Sequence, residues 1–197
     1  MILSLLYIMQ YTIRLSQMRI GVDLDGVVAN FTKGWTTQYE IDFNKKIQPS
    51  DITEWGLSKP LTHFEEEIDF WNWAKNINGS SIFRNLEVYE DSVETLIELS
   101  KLGHEIVILS SKPWWSVHDT FMWLGERKIP TREVHFLEDK WKINCDVYID
   151  DAPHQLEMYV EKVPTKTIIR FVRDYNTPVE GTVDLHNWKD LTSLLQL

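Results

Sequence analysis

The chain has 197 residues, of which 43% are hydrophobic and 25% charged, and this composition predicts a soluble globular protein of one domain with room for a small insertion. The formal net charge of −10 argues against binding of polymeric DNA or RNA through many phosphates, although a bound metal could still attract a small phosphorylated molecule. The single cysteine, Cys145, excludes an internal disulfide and a multi-cysteine zinc site, and it favours a reducing, cytoplasmic location.

The first segment of the chain is apolar but does not match a targeting signal. Residues 1–9 are too few to span a bilayer, and the segment lacks a basic start and a small-residue cleavage site. We interpret residues 1–17 as a non-catalytic extension, with Met18 as an alternative start; a truncated signal peptide is the other interpretation. No membrane association is expected.

Strand-like and helix-like segments alternate along much of the chain, which predicts an α/β fold with a mostly parallel sheet. The predicted strands are residues 19–24, 104–109, 133–136, 146–149 and 165–169. The predicted helices are residues 92–102, 117–128, 153–161 and 188–195. Gly103 is a suitable stop for the first of these helices, and Pro153 suits the first turn of the third.

The segment from residue 32 to residue 88 departs from this alternation. It contains Pro49, Pro60, a helical patch at residues 63–75 and many large aromatic side chains. Two crossover helices with a long loop are the alternative, but a connection of more than fifty residues is unusually long for that. We therefore expect a helical cap, residues 32–88, inserted into a core formed by residues 18–31 and 89–197.

Polar side chains lie at the ends of three of the predicted strands. The groups are Asp23 with Asp25, Ser110 with Ser111, and Asp150 with Asp151, and Lys140 shortly precedes the last pair. Ligands bind beyond the carboxyl ends of strands in open parallel sheets, so these side chains should meet at one edge. Oxygen ligands favour Mg²⁺ over zinc, and together with a lysine and a hydroxyl they indicate phosphoryl transfer. Each group alone could be a turn, a helix cap or a surface residue; their joint order indicates a site.

This order resembles that of the haloacid dehalogenase (HAD) superfamily of phosphatases, whose four motifs can be placed between Asp23 and Asp151. Within the superfamily, the run Asp-Leu-Asp-Gly-Val-Val-Ala-Asn-Phe at residues 23–31 resembles the 5′(3′)-deoxyribonucleotidases. The position of Lys140 ten residues before Asp150 and the predicted cap also resemble that family. The resemblance implies a Rossmann-like core and Mg²⁺-dependent hydrolysis of (deoxy)ribonucleoside monophosphates through an aspartyl-phosphate.

The resemblance also implies roles for the four carboxylates. Asp23 would be the nucleophile and a Mg²⁺ ligand. Asp25 would be the general acid/base and would bind the metal through its backbone carbonyl. Asp151 would complete the metal site, with Asp150 as a further ligand or as support for the ligands.

Four other residues would contact the substrate if the resemblance holds. Ser110 would hold the phosphate, with Ser111 and its amide close by. Lys140 would stabilise the phosphoryl charge and orient Asp23. Phe31 matches an aromatic residue that lines the nucleobase pocket in the family.

The sequence departs from the family pattern at two places. Asn30 stands where the family usually has Asp, a position outside the catalytic carboxylates. The second motif reads Ser-Ser-Lys-Pro-Trp-Trp rather than the Thr-Ser-Pro type, so Lys112 and Trp114 are expected to alter the entrance to the substrate-binding site. Further residues are candidates for substrate contacts, with core packing or the surface as the alternative: Trp55, Trp71, Trp73, Arg127, Arg132 and Arg170.

Other functions remain open from the sequence. They are a HAD phosphatase for another small metabolite such as a sugar phosphate, a phosphomutase, and a non-catalytic binding domain that retains the fold. The expected partner is a small phosphomonoester, with no polymeric nucleic acid and no membrane. A homodimer stays open, as do the base, the sugar and the position of the phosphate.

Overall fold

A parallel sheet of six strands organises residues 17–56 and 60–197, the part of the chain that this computed structural model describes. The strands are β1 (Arg19–Val22), β2 (Glu105–Ser110), β3 (Thr131–Phe136), β4 (Val147–Asp150), β5 (Thr167–Phe171) and β6 (Val183–Leu185). They are hydrogen-bonded in the order β3-β2-β1-β4-β5-β6, and every neighbouring pair is parallel. The predicted α/β class is confirmed.

Helices connect the strands and cover the sheet. They are α1 (Phe31–Phe43), α2 (Glu67–Ala74), α3 (Ser92–Lys101), α4 (Val117–Glu126), α5 (Pro153–Lys162) and α6 (Leu191–Leu194). Gly103 follows α3 with a positive φ of 95°, and Pro153 is the first residue of α5. Both helix boundaries agree with the prediction. No helix within the described residues is long and apolar enough to cross a membrane.

Alternate residues of the central strands enter cores on opposite faces of the sheet. In β2, Ile106 and Ile108 belong to the larger hydrophobic core, whereas Val107 and Leu109 pack in a smaller one with Leu156 of α5. A strand buried on both faces reads as a continuous apolar run, which is why the central strands can be recognised from the sequence. The carboxyl ends of these strands are held rigidly side by side.

The structure contains a sixth strand that the sequence does not predict. β6 has only three residues and a single buried one, Leu185, so it leaves almost no periodic pattern. Arg170 fastens it to β5, because its guanidinium donates to both carboxylate oxygens of Asp184 at 2.8 and 2.6 Å. The predicted terminal helix is also shorter than expected: a 3-10 turn at Trp188–Asp190 precedes α6.

The connection between β1 and α3 holds α1 and α2. Asn30 is the N-cap of α1, and its side chain accepts a hydrogen bond from the amide of Lys33 at 3.1 Å. Asn caps helices about as well as Asp, which accounts for the departure at this position. The division into a cap at residues 32–88 and a core stays a prediction, and residues 1–16 of the predicted extension lie outside the described residues.

Candidate active site

Adjacent strands bring two of the predicted aspartates together at the carboxyl edge of the sheet. Val22 of β1 pairs with Ile149 of β4, and the amide of Asp23 donates to the carbonyl of Ile149 at 3.0 Å. Asp23 therefore leaves β1 beside Asp150, the last residue of β4. The two aspartates are far apart in sequence but adjacent in space because their strands are neighbours.

Lys140 lies between these two carboxylates. Its Nζ donates to Asp23 Oδ1 at 2.7 Å and to Asp150 Oδ2 at 2.8 Å, and the residue is only 1% exposed. Burial disfavours its ammonium, but the charges of Asp150 and Asp23 outweigh that effect and raise the pKa of Lys140. The lysine is therefore a fixed positive charge, held beside the predicted nucleophile.

Asp23, Asp150 and Asp151 form a buried cluster whose nearest carboxylate oxygens lie within 4.8 Å of one another. Burial, opposed by Lys140 and reinforced by the charges of Asp150 and Asp25, raises the pKa of Asp23 to about 7. Burial and the charges of Asp23 and Asp150 also raise the pKa of Asp151 well above its ordinary value. Such crowding of carboxylates favours binding of a cation.

The two aspartates at the end of β4 have different surroundings. Asp150 is fully buried, and its oxygens accept from Lys140, from the amide of Ala152 at 3.0 Å and from the hydroxyl of Tyr159 at 3.3 Å. Asp151 accepts from Tyr175 through Oδ2 at 2.5 Å, while its buried Oδ1 has no hydrogen-bond partner within the described residues. A hard divalent cation such as Mg²⁺ fits this donor set, because a buried carboxylate oxygen without a partner is costly.

The absence of a side chain at Gly26 lets the backbone approach Asp151 and Tyr175 closely. The φ of Gly26 is 79°, and a Cβ at this position would collide with Asp151 Oδ2 and with the hydroxyl of Tyr175. Arg173 donates through Nε to the Gly26 carbonyl at 2.5 Å, and its guanidinium lies 3.7 Å from the centre of the Tyr89 ring. Only glycine suits both the backbone conformation and the close approach here.

Asp25 points toward a different lysine. Lys112 Nζ lies 3.0 Å from Asp25 Oδ1 and 4.4 Å from the centre of the Phe83 ring. Burial raises the pKa of Asp25, and the charge of Lys112 acts against this shift. Asp23 and Asp25 thus have separate ammonium partners.

The predicted phosphate-binding hydroxyls lie at the end of β2. Ser110 is buried at the carboxyl terminus of this strand, and its Oγ accepts from the amide of Lys112 at 3.4 Å. Ser111 is half-buried and lines the same cavity as Ser110. Both serines therefore face the space shared with Asp23 and Lys140.

That space is a cavity of about 280 Å³ with an aromatic wall. Phe31, Trp71 and Phe83 are nearly parallel, with ring centroids 5.4 to 6.3 Å apart and interplanar angles between 15° and 20°. Trp55 also lines the cavity, whereas Trp73 is not among the described lining residues and donates to Asp42 at 2.8 Å. The aromatic rings suit a flat, apolar group of a ligand.

The arginines singled out from the sequence have other roles or lie elsewhere. Arg170 joins β5 to β6, and Arg127 donates to the carbonyl of Leu86 at 3.0 Å. Arg132 is not among the described residues that line the cavity, whose lysines are Lys112 and Lys140. Among the described residues that line the cavity, the permanent positive charge therefore comes from lysine.

Two residues of the site, Arg173 and Tyr175, are absent from the sequence-based predictions and lie in the loop after β5. A signal for both was present, because they belong to a polar run, Arg-Asp-Tyr-Asn at residues 173–176, that follows a strand. The predicted strand ends at Ile169 instead of Phe171, so the run does not stand out as a strand end. Tyr159 leaves no such signal, since it belongs to the buried face of α5.

Comparison with known proteins assigns the family. The profile of a family described as 5′ nucleotidase, deoxy (Pyrimidine), cytosolic type C protein matches residues 17–197. The chain belongs to this family. It is a phosphoric monoester hydrolase, and the resemblance to HAD-superfamily deoxyribonucleotidases is confirmed.

Individual relatives agree with this assignment. The candidate nucleotidase OB0422 of Oceanobacillus iheyensis is 28% identical over 186 residues, which cover 88% of this chain and 96% of that protein. The 5′(3′)-deoxyribonucleotidase of Clostridium acetobutylicum is 27% identical over 151 residues, 71% of this chain and 76% of the relative. The crystal structure of a HAD family hydrolase from Deinococcus radiodurans has a TM-score of 0.61 at 14% identity, covers 91% of this chain and 95% of its own, and shares the fold.

Proposed function

We propose that the chain hydrolyses (deoxy)ribonucleoside monophosphates, as a 5′(3′)-nucleotidase, with the help of Mg²⁺. One arrangement carries the proposal: Lys140 bridges Asp23 and Asp150 at one end of a cavity whose other wall is aromatic. The end with Lys140 suits a phosphate beside a nucleophile, and the aromatic wall suits a nucleobase. Relatives named as deoxyribonucleotidases support this choice of substrate.

The chemistry takes two steps in this proposal. A carboxylate oxygen of Asp23 attacks phosphorus, the bond to the ester oxygen breaks, and that oxygen takes a proton from Asp25. A water molecule then attacks the aspartyl-phosphate, gives a proton to Asp25 and displaces Asp23, which releases inorganic phosphate. Lys140 holds Asp23 in position and stabilises the phosphoryl oxygens, an effect that is strong in a buried site.

The remaining site residues bind the reacting group or the metal. Ser110 and Ser111 donate to the phosphate. When bound, Mg²⁺ would be held by Asp23, Asp151 and the carbonyl of Asp25, and it would neutralise charge on the phosphoryl group. Asp150 supports Lys140 rather than binding the metal directly, because its oxygens already accept from three groups.

The aromatic wall would hold the base in this proposal. Phe31 would stack on it from α1, and Trp71 and Phe83 would extend the same surface. Stacking of a base on one aromatic ring contributes about 1–3 kcal/mol, so the wall is expected to lower KM for nucleotides relative to sugar phosphates. We also propose a cytoplasmic location, which the free cysteine, Cys145, favours.

Phosphate release tests the proposal directly. Nucleoside 5′- and 3′-monophosphates and sugar phosphates are incubated with the protein, with Mg²⁺ or with EDTA. We expect nucleotides to give the highest kcat/KM and EDTA to abolish release. Asp23→Asn should be inactive but folded, whereas the control Asp190→Asn, at an exposed residue, should retain activity. A preference for sugar phosphates, transfer to a second sugar phosphate, or wild-type turnover by Asp23→Asn would contradict the proposal.

A further inference from the structure

Lys112 occupies a position between the two halves of the cavity. Its ammonium lies 3.0 Å from Asp25 Oδ1, at the reacting end, and 4.4 Å from the centre of the Phe83 ring, in the aromatic wall. The residue is 9% exposed, so it is no ordinary surface lysine. Neither Asp23 nor Asp150 shares this ammonium, because their ion-pair partner is Lys140.

The backbone around Lys112 directs the side chain into the cavity. Its amide donates to Ser110 Oγ at 3.4 Å, directly after the end of β2, and Pro113 follows with its φ fixed by the ring. A 3-10 turn at Trp114–Ser116 then leads into α4. The lysine is thus attached to a rigid strand end, and its long side chain has little freedom once the ammonium is paired.

We propose that Lys112 is a positioning residue that holds the carboxyl of Asp25 on the leaving-group side of the cavity. The inference rests on the proposed hydrolysis, in which Asp25 gives a proton to the ester oxygen as the phosphorus–oxygen bond breaks. An ammonium has three N–H donors. The 3.0 Å contact with Asp25 Oδ1 is an ion pair, and the centre of the Phe83 ring lies 4.4 Å from the ammonium, so N–H donors remain to steady the ester oxygen during its release.

A pair of substrates separates this role from phosphate binding. Phenyl phosphate has a poor leaving group that benefits from protonation, whereas p-nitrophenyl phosphate, of similar shape, releases a stable phenolate. The quantity to compare is kcat/KM, because it reports the steps up to the release of the first product. We expect Lys112→Met to lower kcat/KM for phenyl phosphate at least about tenfold more than for p-nitrophenyl phosphate, within the range of general acid catalysis.

Three further variants complete the experiment. Lys112→Arg should restore part of the activity on phenyl phosphate, and Asp25→Asn should show the same dependence on the leaving group as Lys112→Met. In the double variant Lys112→Met/Asp25→Asn, the two losses of kcat/KM on phenyl phosphate should not add, because both substitutions act on one proton transfer. The matched control is Lys166→Met, which removes an ion pair with Asp146 at the opposite edge of the sheet and should leave both substrates unaffected.

Distinct results would overturn the inference. An equal loss on both aryl phosphates would mean that Lys112 binds the phosphate or maintains the fold, and thermal unfolding of Lys112→Met would tell these apart. Unchanged kinetics would exclude any role. If the wild-type protein released phosphate from neither aryl phosphates nor nucleotides, the proposed function itself would fail and the role of Lys112 with it.

Discussion

Substitution of Gly26 by alanine tests how closely the chain passes the aspartate cluster. The new Cβ would collide with Asp151 Oδ2 and the Tyr175 hydroxyl, and alanine would have to adopt a φ of 79°. The left-handed backbone costs about 1–2 kcal/mol for a residue with a Cβ. Overpacking of a tight site adds about 1–3 kcal/mol. We therefore expect Gly26→Ala to lower the free energy of unfolding by about 3 kcal/mol, or Tm by about 6–12 °C.

Two other glycines separate these contributions. Gly79 has a φ of 91°, but a Cβ added there would have no heavy atom within 4 Å, so Gly79→Ala should show the backbone cost alone, about 1–2 kcal/mol. Gly125 lies in the last turn of α4 with equally open space, and Gly125→Ala should stabilise the protein by up to about 1 kcal/mol. The measurement is thermal unfolding in EDTA, with a Mg²⁺ titration of each variant. If Gly26→Ala were no less stable than Gly79→Ala, the close approach to Asp151 would be refuted.

Further predictions concern the surroundings of the site and the sheet. Asp151→Asn removes one of three crowded carboxylates, so it should raise Tm in EDTA and abolish the stabilisation by Mg²⁺ that we expect of the wild-type protein. Tyr175→Phe leaves Asp151 Oδ2 without its hydrogen bond and should weaken Mg²⁺ binding about tenfold by calorimetry, as expected when support for a metal ligand is lost. Burial raises the pKa of the Cys145 thiol to about 12, so the thiol stays protonated at neutral pH and should react with a thiol reagent only after the protein is unfolded; rapid reaction of the native protein would contradict this. Arg170→Met removes the hydrogen bonds of the guanidinium to Asp184 and Asn176 and should lower the free energy of unfolding by about 1–3 kcal/mol in urea, with little effect if β6 contributes nothing to stability.

The sequence predicted the elements that have a long apolar pattern. β1, β2 and β4 are buried on both faces, and their hydrophobic runs are predicted to within two residues. β6 escapes prediction because three residues with one buried side chain have no periodicity, and its pairing depends on the distant contact between Arg170 and Asp184. Local patterns predict elements well only where burial repeats along the chain.

Residues of the candidate site could be predicted where a reactive side chain directly follows an apolar strand. Asp23, Ser110 and Asp150 are identifiable because each follows an apolar run. Tyr175 could not be identified in this way, because the predicted strand before it ends two residues too early, at Ile169 instead of Phe171. The pairing of Lys112 with Asp25 could not be read from the sequence, since the whole connection between β1 and β2 separates the two side chains.

The distribution of charge explains why a metal, and not a third lysine, suits this site. Lys140 compensates Asp23 and Asp150 together, and Lys112 compensates Asp25. Asp151 is left with a neutral tyrosine at one oxygen and no partner at the other within the described residues. A lysine there would fix the charge permanently, whereas a metal adds two positive charges and can bind the phosphate as well. We expect the residual negative charge to lower the stability of the site, as is common where activity and stability compete.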